Sequence, residues 1–255
     1  ANLAKRLIVR QENEITILDN FLTGSRQNLH EIERLGDFKL IEGDVQDIAK
    51  NMKFDQIYNL ACPASPIHYQ KYPIQTWKAS TLGILALLDL ADATGATLLQ
   101  TSTSEVYGDP LEHPQDENYW GNVNPIGIRS CYDEGKRAAE SLIQDYRRMY
   151  KTEAKIVRIF NTYGPLMHPK DGRVVSNFIV SALNNEPITI YGDGTSTRSF
   201  CYVDDLIEGL ISAMEYKFDE PINLGNEKEF TILQLAQIII EKTKSRSQIV
   251  YEPLP

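Results

Sequence analysis

"TLLQTSTSEVYGD", residues 97–109, sets a short apolar run against an abrupt cluster of hydroxyls and one carboxylate. A run of that length suits a strand buried on both faces, and the Ser/Thr cluster marks its carboxyl end. Similar runs stand at "EITILD" (14–19), "FKLIEG" (38–43), "QIYNLA" (56–61) and "KIVRIF" (155–160). Helical periodicity fills residues 1–10, 73–93 and 130–150. The alternation predicts a doubly wound α/β fold, a parallel sheet joined by crossover helices. In open sheets of this kind ligands sit beyond the carboxyl ends of the strands.

The 255 residues are 42% apolar, enough to bury a sizeable core. A formal net charge of −9 with no basic run argues against nucleic acid, whose phosphates need clustered Lys and Arg. Three widely spaced cysteines, Cys62, Cys131 and Cys201, include no CxxC pair, so neither a disulfide framework nor a metal site is expected, and a reducing compartment fits. No stretch approaches ~20 uninterrupted apolar residues. After about residue 165 the rhythm loosens into the loops "PLMHPKDGR" and "YGDGTSTRS", with strand-like "ITIY" and "PINLG". A smaller C-terminal portion over residues 166–255 is therefore expected beside a larger one over 1–165.

Three constellations carry chemistry. In "ILDNFLTG" (17–24) Asp19 ends a strand, where a carboxylate can accept bonds from the adenosine ribose hydroxyls of a dinucleotide and repel a 2′-phosphate. That favours NAD over NADP, although a strand-ending Asp also starts ordinary turns. In "TSTSEVYGD" (101–109) Thr103, Ser104 and Glu105 face the sheet edge, where a plain Ser/Thr turn is the bland alternative. In "SCYDEGKRAAESL" (130–142) Tyr132 and Lys136 are four apart and share one helix face, roughly 5–6 Å between Cβ atoms. A phenol of ordinary pKa ~10 is a poor base, but an ammonium and a cationic nicotinamide ring both favour the phenolate. Tyr132 is thus expected to take a proton from a sugar hydroxyl and Lys136 to hold the nicotinamide ribose. The order of the three motifs, more than any one of them, makes a site.

In that order, "TSTSEVYGDP", "NPIGIRSCYDEGKR", "RIFNTYGP", "DGRVVSNF" and "NLACPASPIHYQ" resemble the extended short-chain dehydrogenases/reductases that act on nucleotide sugars. Within that family they are most similar to the members that decarboxylate UDP-glucuronate, and the resemblance runs over nearly the whole chain. It implies an NAD-binding Rossmann domain over residues 1–165, a nucleotide-sugar-binding portion over 166–255, NAD as cofactor and UDP-glucuronate as substrate. It implies catalytic roles for Thr103, Ser104, Glu105, Tyr132 and Lys136. NAD would be held by Asp19, Asn20, Phe21, Thr23, Gly24, Asp44, Val45, Leu60, Ala61, Thr101, Thr162 and His168, together with Tyr132 and Lys136. The substrate would be held by Tyr69, Glu105, Asn161, Arg173, Tyr191 and Arg198. A homodimer paired through the helices near 75–93 and 131–150 and a cytoplasmic location, with any membrane anchor lying outside the chain, complete the implied picture.

The implied reaction oxidises sugar C4, loses carbon dioxide from C5 through an enolate, and returns hydride to C4, giving UDP-xylose. Related 4,6-dehydratases typically carry Asp-Glu where this chain has Ser104-Glu105, and a Ser is a weak general acid. Simple 4-epimerases share the Tyr and Lys but generally lack this Glu. Both remain alternatives, as does a non-enzymatic cofactor-binding regulator on the same fold. Leu166 stands where family members usually have Arg. No GxGxxG is present, so the resemblance places that phosphate loop upstream of Ala1, and an arginine of the decarboxylation site downstream of Pro255.

Overall fold

The computed structural model describes residues 1–10 and 14–253. The first elements are α1 (Asn2–Val9), β1 (Thr16–Asp19), α2 (Arg26–Glu33), β2 (Lys39–Glu42) and β3 (Gln56–Asn59). Next come α3 (Pro66–Lys71), α4 (Pro73–Lys78), α5 (Ile84–Thr94), β4 (Thr97–Thr103), α6 (Ser130–Tyr150) and β5 (Ala154–Ile159). The remainder contains β6 (Thr162–Tyr163), α7 (Val174–Asn184), β7 (Ile188–Tyr191), β8 (Thr197–Ser199) and β9 (Cys201–Tyr202). α8 (Val203–Glu215), β10 (Ile222–Leu224), β11 (Glu229–Thr231), α9 (Ile232–Thr243) and β12 (Ile249–Glu252) follow.

The five expected strands form within one or two residues of their predicted ends, and "ITIY" and "PINLG" supply β7 and β10. β4 shows why its sequence is apolar on both faces. Leu98 packs with Leu88, Ala139 and Ile143 of α5 and α6. Its neighbour Leu99 turns to the opposite face, where Leu206, Leu210 and Ile211 of α8 cover it together with Leu3 of α1. Alternation along a pleated strand with helices on both sides leaves no wet face.

β3, β4, β5 and β10 form one parallel sheet in the order β10-β5-β4-β3, with Gln100 opposite Ile156 and Tyr58 opposite Leu99. β1 and β2 pair in parallel as a second, two-stranded unit in which Asp19 faces Glu42. The expected run of strands therefore makes two hydrogen-bonded groups. β10 and α8, both beyond residue 165, return to the larger sheet, whereas α7, α9 and β7 gather around a separate core of Phe178, Ile188, Ile190 and Ala236.

The helix expected over 73–93 is interrupted. A π-turn, Ala79–Gly83, joins α4 to α5. It lies where α6 crosses most closely: a Cβ on Gly135 would stand 2.9 Å from Ser80 Cβ, so the one glycine of "CYDEGK" allows this approach.

Candidate active site

The carboxyl end of β4 turns directly into a 3-10 segment, Ser104–Tyr107, which Thr103 caps by accepting the Glu105 N–H at 3.2 Å. Beneath it lies a buried network. Arg158 of β5 donates to both oxygens of Glu140 on α6, at 3.0 and 2.8 Å, and to the Tyr107 hydroxyl at 2.9 Å. Ser102 of β4 donates to the same Glu140 at 2.5 Å. The bidentate pair therefore fixes α6 against the strand end that carries Thr103.

That register brings Tyr132 and Lys136, both buried, to the strand end. The Thr103 hydroxyl lies close enough to the Tyr132 phenol to favour its ionised form. Lys136 Nζ donates to the Thr101 carbonyl at 2.8 Å and stands 5.8 Å from the Tyr132 ring centroid. The Thr101 hydroxyl donates to the Asn59 carbonyl at 2.8 Å, tying β4 to β3. The pair and the hydroxyl turn thus meet as the sequence predicts. The electrostatics differ from the expectation that Lys136 lowers the phenol. Burial pushes Tyr132 well above the ordinary phenol range, Cys62 and Glu105 add to this, and the nearby Thr103 hydroxyl and Arg173 oppose it. Burial also lowers Lys136. Desolvation outweighs the pairing, so a phenolate here needs further positive charge.

On the flank of Tyr132 the ring of Tyr69, fully buried on α3, stacks at 5.1 Å with an interplanar angle of 9°. Burial raises the Tyr69 phenol to about 12. Glu105 is half-buried and pairs with the guanidinium of Arg129 just before α6. Ser104 beside it is also half-buried.

At the end of β1 the Asp19 carboxylate accepts the Phe21 N–H at 2.8 Å, in an Asx-turn that holds Phe21 at φ 55°. Gly24 stands over it: a Cβ there would lie 2.8 Å from the Asp19 carboxylate, which would have to shift. Asn20 donates to Asp44, and both are exposed, as is Thr23. Arg26 lies over the Phe21 ring at 4.2 Å. Ala61 donates its N–H to the Asn59 side chain at 3.2 Å, and Leu60 is exposed beyond β3. Val45 is instead a core residue, buried with Ile84 and Leu87.

From the C-terminal part, Arg173 caps α7, bonds Asp171 and comes near enough to Tyr132 to bias its charge. Exposed Asn161 holds β9 through its carbonyl, which accepts the Cys201 N–H at 2.8 Å, and the Thr162 hydroxyl donates to the Phe160 carbonyl at 3.0 Å. His168 is exposed and accepts the Lys170 N–H on Nδ1 at 3.0 Å. Tyr191 and Arg198 are exposed on β7 and β8. These last three make no hydrogen bond or ion pair with the Tyr132 group among the described residues.

A model of the NAD dependent epimerase/dehydratase family matches residues 1–225. The chain belongs to that family. It is 53% identical over 253 residues to UDP-glucuronic acid decarboxylase 4 of Arabidopsis thaliana, covering 99% of this chain and 57% of that protein. It is 51% identical over 241 residues to UDP-glucuronic acid decarboxylase 1 of Danio rerio, covering 94% of this chain and 57% of that protein. The chain thus spans a little over half the length of these relatives. Among solved structures it is similar to a UDP-glucose 4-epimerase with UDP-glucose from Thermotoga maritima, with TM-score 0.87 and 25% identity over 99% of this chain and 82% of that one. The fold also matches a UDP-glucuronic acid 4-epimerase from Bacillus cereus in complex with UDP-glucuronic acid and NAD, with TM-score 0.84, 24% identity and coverage of 99% and 82%.

For a family member the site holds three residues that the motif reading passes over. Arg129 and Asp133 share a helix face with Tyr132 and Lys136 at helical spacing, so their place was open to the same i,i+4 argument. Cys62 follows β3 and couples to both Tyr132 and Lys136, its Sγ lying 3.3 Å from the Ser80 hydroxyl. Its signal was position alone, at a strand's carboxyl end.

Proposed function

We propose that this chain is the catalytic part of a UDP-glucuronate decarboxylase that uses NAD and regenerates it. The observation that carries the reading is Glu105, half-buried and paired with Arg129, one short turn from Thr103, which stands beside Tyr132. The names of the relatives at 53% and 51% identity support it.

The residues at the end of β1 suit the adenosine side of NAD: Asp19, sealed by Gly24, for the ribose hydroxyls, with Asn20 and Phe21 on the rim. NAD, when bound, supplies the hydride acceptor at sugar C4 and the positive charge that the buried phenol lacks. Tyr132 then takes the C4 hydroxyl proton, with Thr103 bonding the same oxygen. Lys136, anchored on the Thr101 carbonyl, would hold the nicotinamide ribose. A C4 ketone is β to the C5 carboxylate, so carbon dioxide leaves as the carbanion delocalises into the ketone. The Thr103 and Ser104 hydroxyls donate to the enolate oxygen. Glu105 directs the ring and its carboxylate, C5 of the enolate takes a proton from solvent, and Tyr132 returns its proton to the C4 oxygen as the hydride comes back to C4. Asn161, Tyr191 and Arg198 serve the UDP end and Arg173 the diphosphates; Thr162 and His168 approach the cofactor. The remaining NAD contacts are assigned to Thr23, Asp44, Val45, Leu60, Ala61 and Thr101.

The protein is proposed to act as a homodimer in the cytoplasm. Ile74, Leu82 and Leu85 on the α4–α5 stretch, with Met149 and Tyr150 on α6, are exposed apolar residues suited to a helical interface. The three cysteines are unpaired, and no described helix is long and apolar enough to cross a membrane. Incubating the full chain with NAD and UDP-glucuronate tests the activity: carbon dioxide and UDP-xylose are expected. Conversion to a C4 epimer with the carboxylate intact would establish epimerase chemistry instead.

A further inference from the structure

Arg129 and Asp133 have no part in the chemistry above, yet both stand against Glu105. The Arg129 guanidinium pairs with Glu105, and its Nε lies 3.8 Å from Asp133 Oδ2. The Asp133 side chain is 12% exposed. Its other oxygen, Oδ1, is buried with no hydrogen-bond partner among the described residues, and the Tyr69 hydroxyl beside this group is in the same position. A buried, half-satisfied carboxylate opposes folding. An Asp in the first turn of α6 gains from the helix dipole, but that gain asks neither for burial nor for an arginine.

The geometry points to Arg129 and Asp133 as a positioning pair for Glu105: Asp133 steadies the guanidinium on the helix face, and the guanidinium sets the Glu105 carboxylate at the rim of the Tyr132 pocket. This rests on the decarboxylase reading only through the role given there to Glu105. Four groups face Asp133: Arg129 ahead of α6, Glu105 from the turn, Glu134 from its own helix and Tyr69 from α3. Burial, then Glu105 and Glu134, raise its carboxyl to about 6 against the pull of Arg129. Below that pH Arg129 keeps one carboxylate partner instead of two, and its hold on Glu105 loosens.

Two measurements in the full chain test the pair. Carboxyl ¹³C NMR follows the Asp133 titration: Arg129→Met is expected to move its midpoint up and Glu105→Gln to move it down. A midpoint that neither variant moves overturns the proposal, whether or not the protein turns over UDP-glucuronate. The second is a double-mutant cycle on turnover. Arg129→Met should lower kcat about 10- to 100-fold with KM within about threefold, yet cost less than about threefold in the Glu105→Gln background. Arg129→Lys, which keeps the charge but not the fork, should recover part of the loss. Asp133→Asn should remove the acid limb near pH 6 from kcat. Multiplicative losses in the cycle, or a KM effect alone, would overturn it. Wild-type protein that releases no carbon dioxide would refute the decarboxylase reading and leave the NMR result to decide the pair.

Discussion

Tyr132 carries the proposed proton transfer, and its surroundings say what that requires. Burial, more than any neighbouring charge, drives the phenol upward, so its proton leaves only when positive charge arrives. Tyr132→Phe is expected to lower turnover about 10²- to 10⁴-fold while NAD still binds, as a fluorescence titration would show; unchanged turnover would remove Tyr132 from the mechanism. Asp133 makes a stability prediction of definite sign. Its folded-state carboxyl is raised to about 6 against an ordinary value of 3.8, so the folded protein holds this proton more tightly than the unfolded chain does. Its favourable contribution is present below about pH 4 and is lost as pH rises through 6. Asp133→Asn should therefore melt higher than wild type at pH 7, by at most about 3 kcal/mol less the lost helix-dipole term, and show no gain at pH 4. The i,i+4 pair was legible in the sequence because helical spacing puts both side chains on one face. The lowered Lys136 and raised Tyr132 were not, because burial is set by α3, β4 and the turn together.

At the scale of elements, the Arg158–Glu140 network ties β4, β5, α6 and the catalytic turn into one unit. Both side chains are close to nine-tenths buried, so Arg158→Met leaves the Glu140 carboxylate without its partner. A loss of about 3–5 kcal/mol in urea unfolding is expected, with Glu140→Gln in the same background restoring part of it. Gly135→Ala tests the crossing at the π-turn. The added methyl meets Ser80, so the α6 face carrying Tyr132 should shift and turnover fall even where the protein remains folded. Strands β3, β4 and β5 were readable because helices cover both faces and leave an unbroken apolar run. The π-turn was not readable, since one inserted residue barely disturbs a helical pattern. Val45, which the resemblance assigns to the cofactor, has its side chain in the core because a 3-10 turn after Asp44 points it under α5, so a cofactor contact there falls to its backbone.

Across the whole molecule, the carboxyl edge of the four-stranded sheet collects Asn59, Thr103 and, through α6, Tyr132 and Lys136, while Asp19 ends β1 of the two-stranded unit. Which strands pair, and that β10 returns from the far end of the chain to lie beside β5, depend on long-range packing that local patterns do not encode. Arg173 comes near enough to bias the Tyr132 charge for the same reason, whereas Tyr191 and Arg198 stand on the exposed strands of the C-terminal part. The apolar residues exposed on α4–α5 and α6 predict association: Leu82→Glu with Leu85→Glu should convert a dimer to a monomer in sedimentation, and an unchanged sedimentation coefficient would place the interface elsewhere.

The account turns on oxidation at C4 preceding loss of the carboxylate, so rapid mixing with UDP-glucuronate deuterated at C4 should show reduced-nicotinamide absorbance ahead of carbon dioxide release, rising more slowly than with the undeuterated sugar. With the full chain and unlabelled NAD, the predicted product is UDP-xylose that retains deuterium at C4, with a solvent hydrogen at C5 and one carbon dioxide released per sugar. A product that keeps its carboxylate and is inverted at C4 would contradict the account.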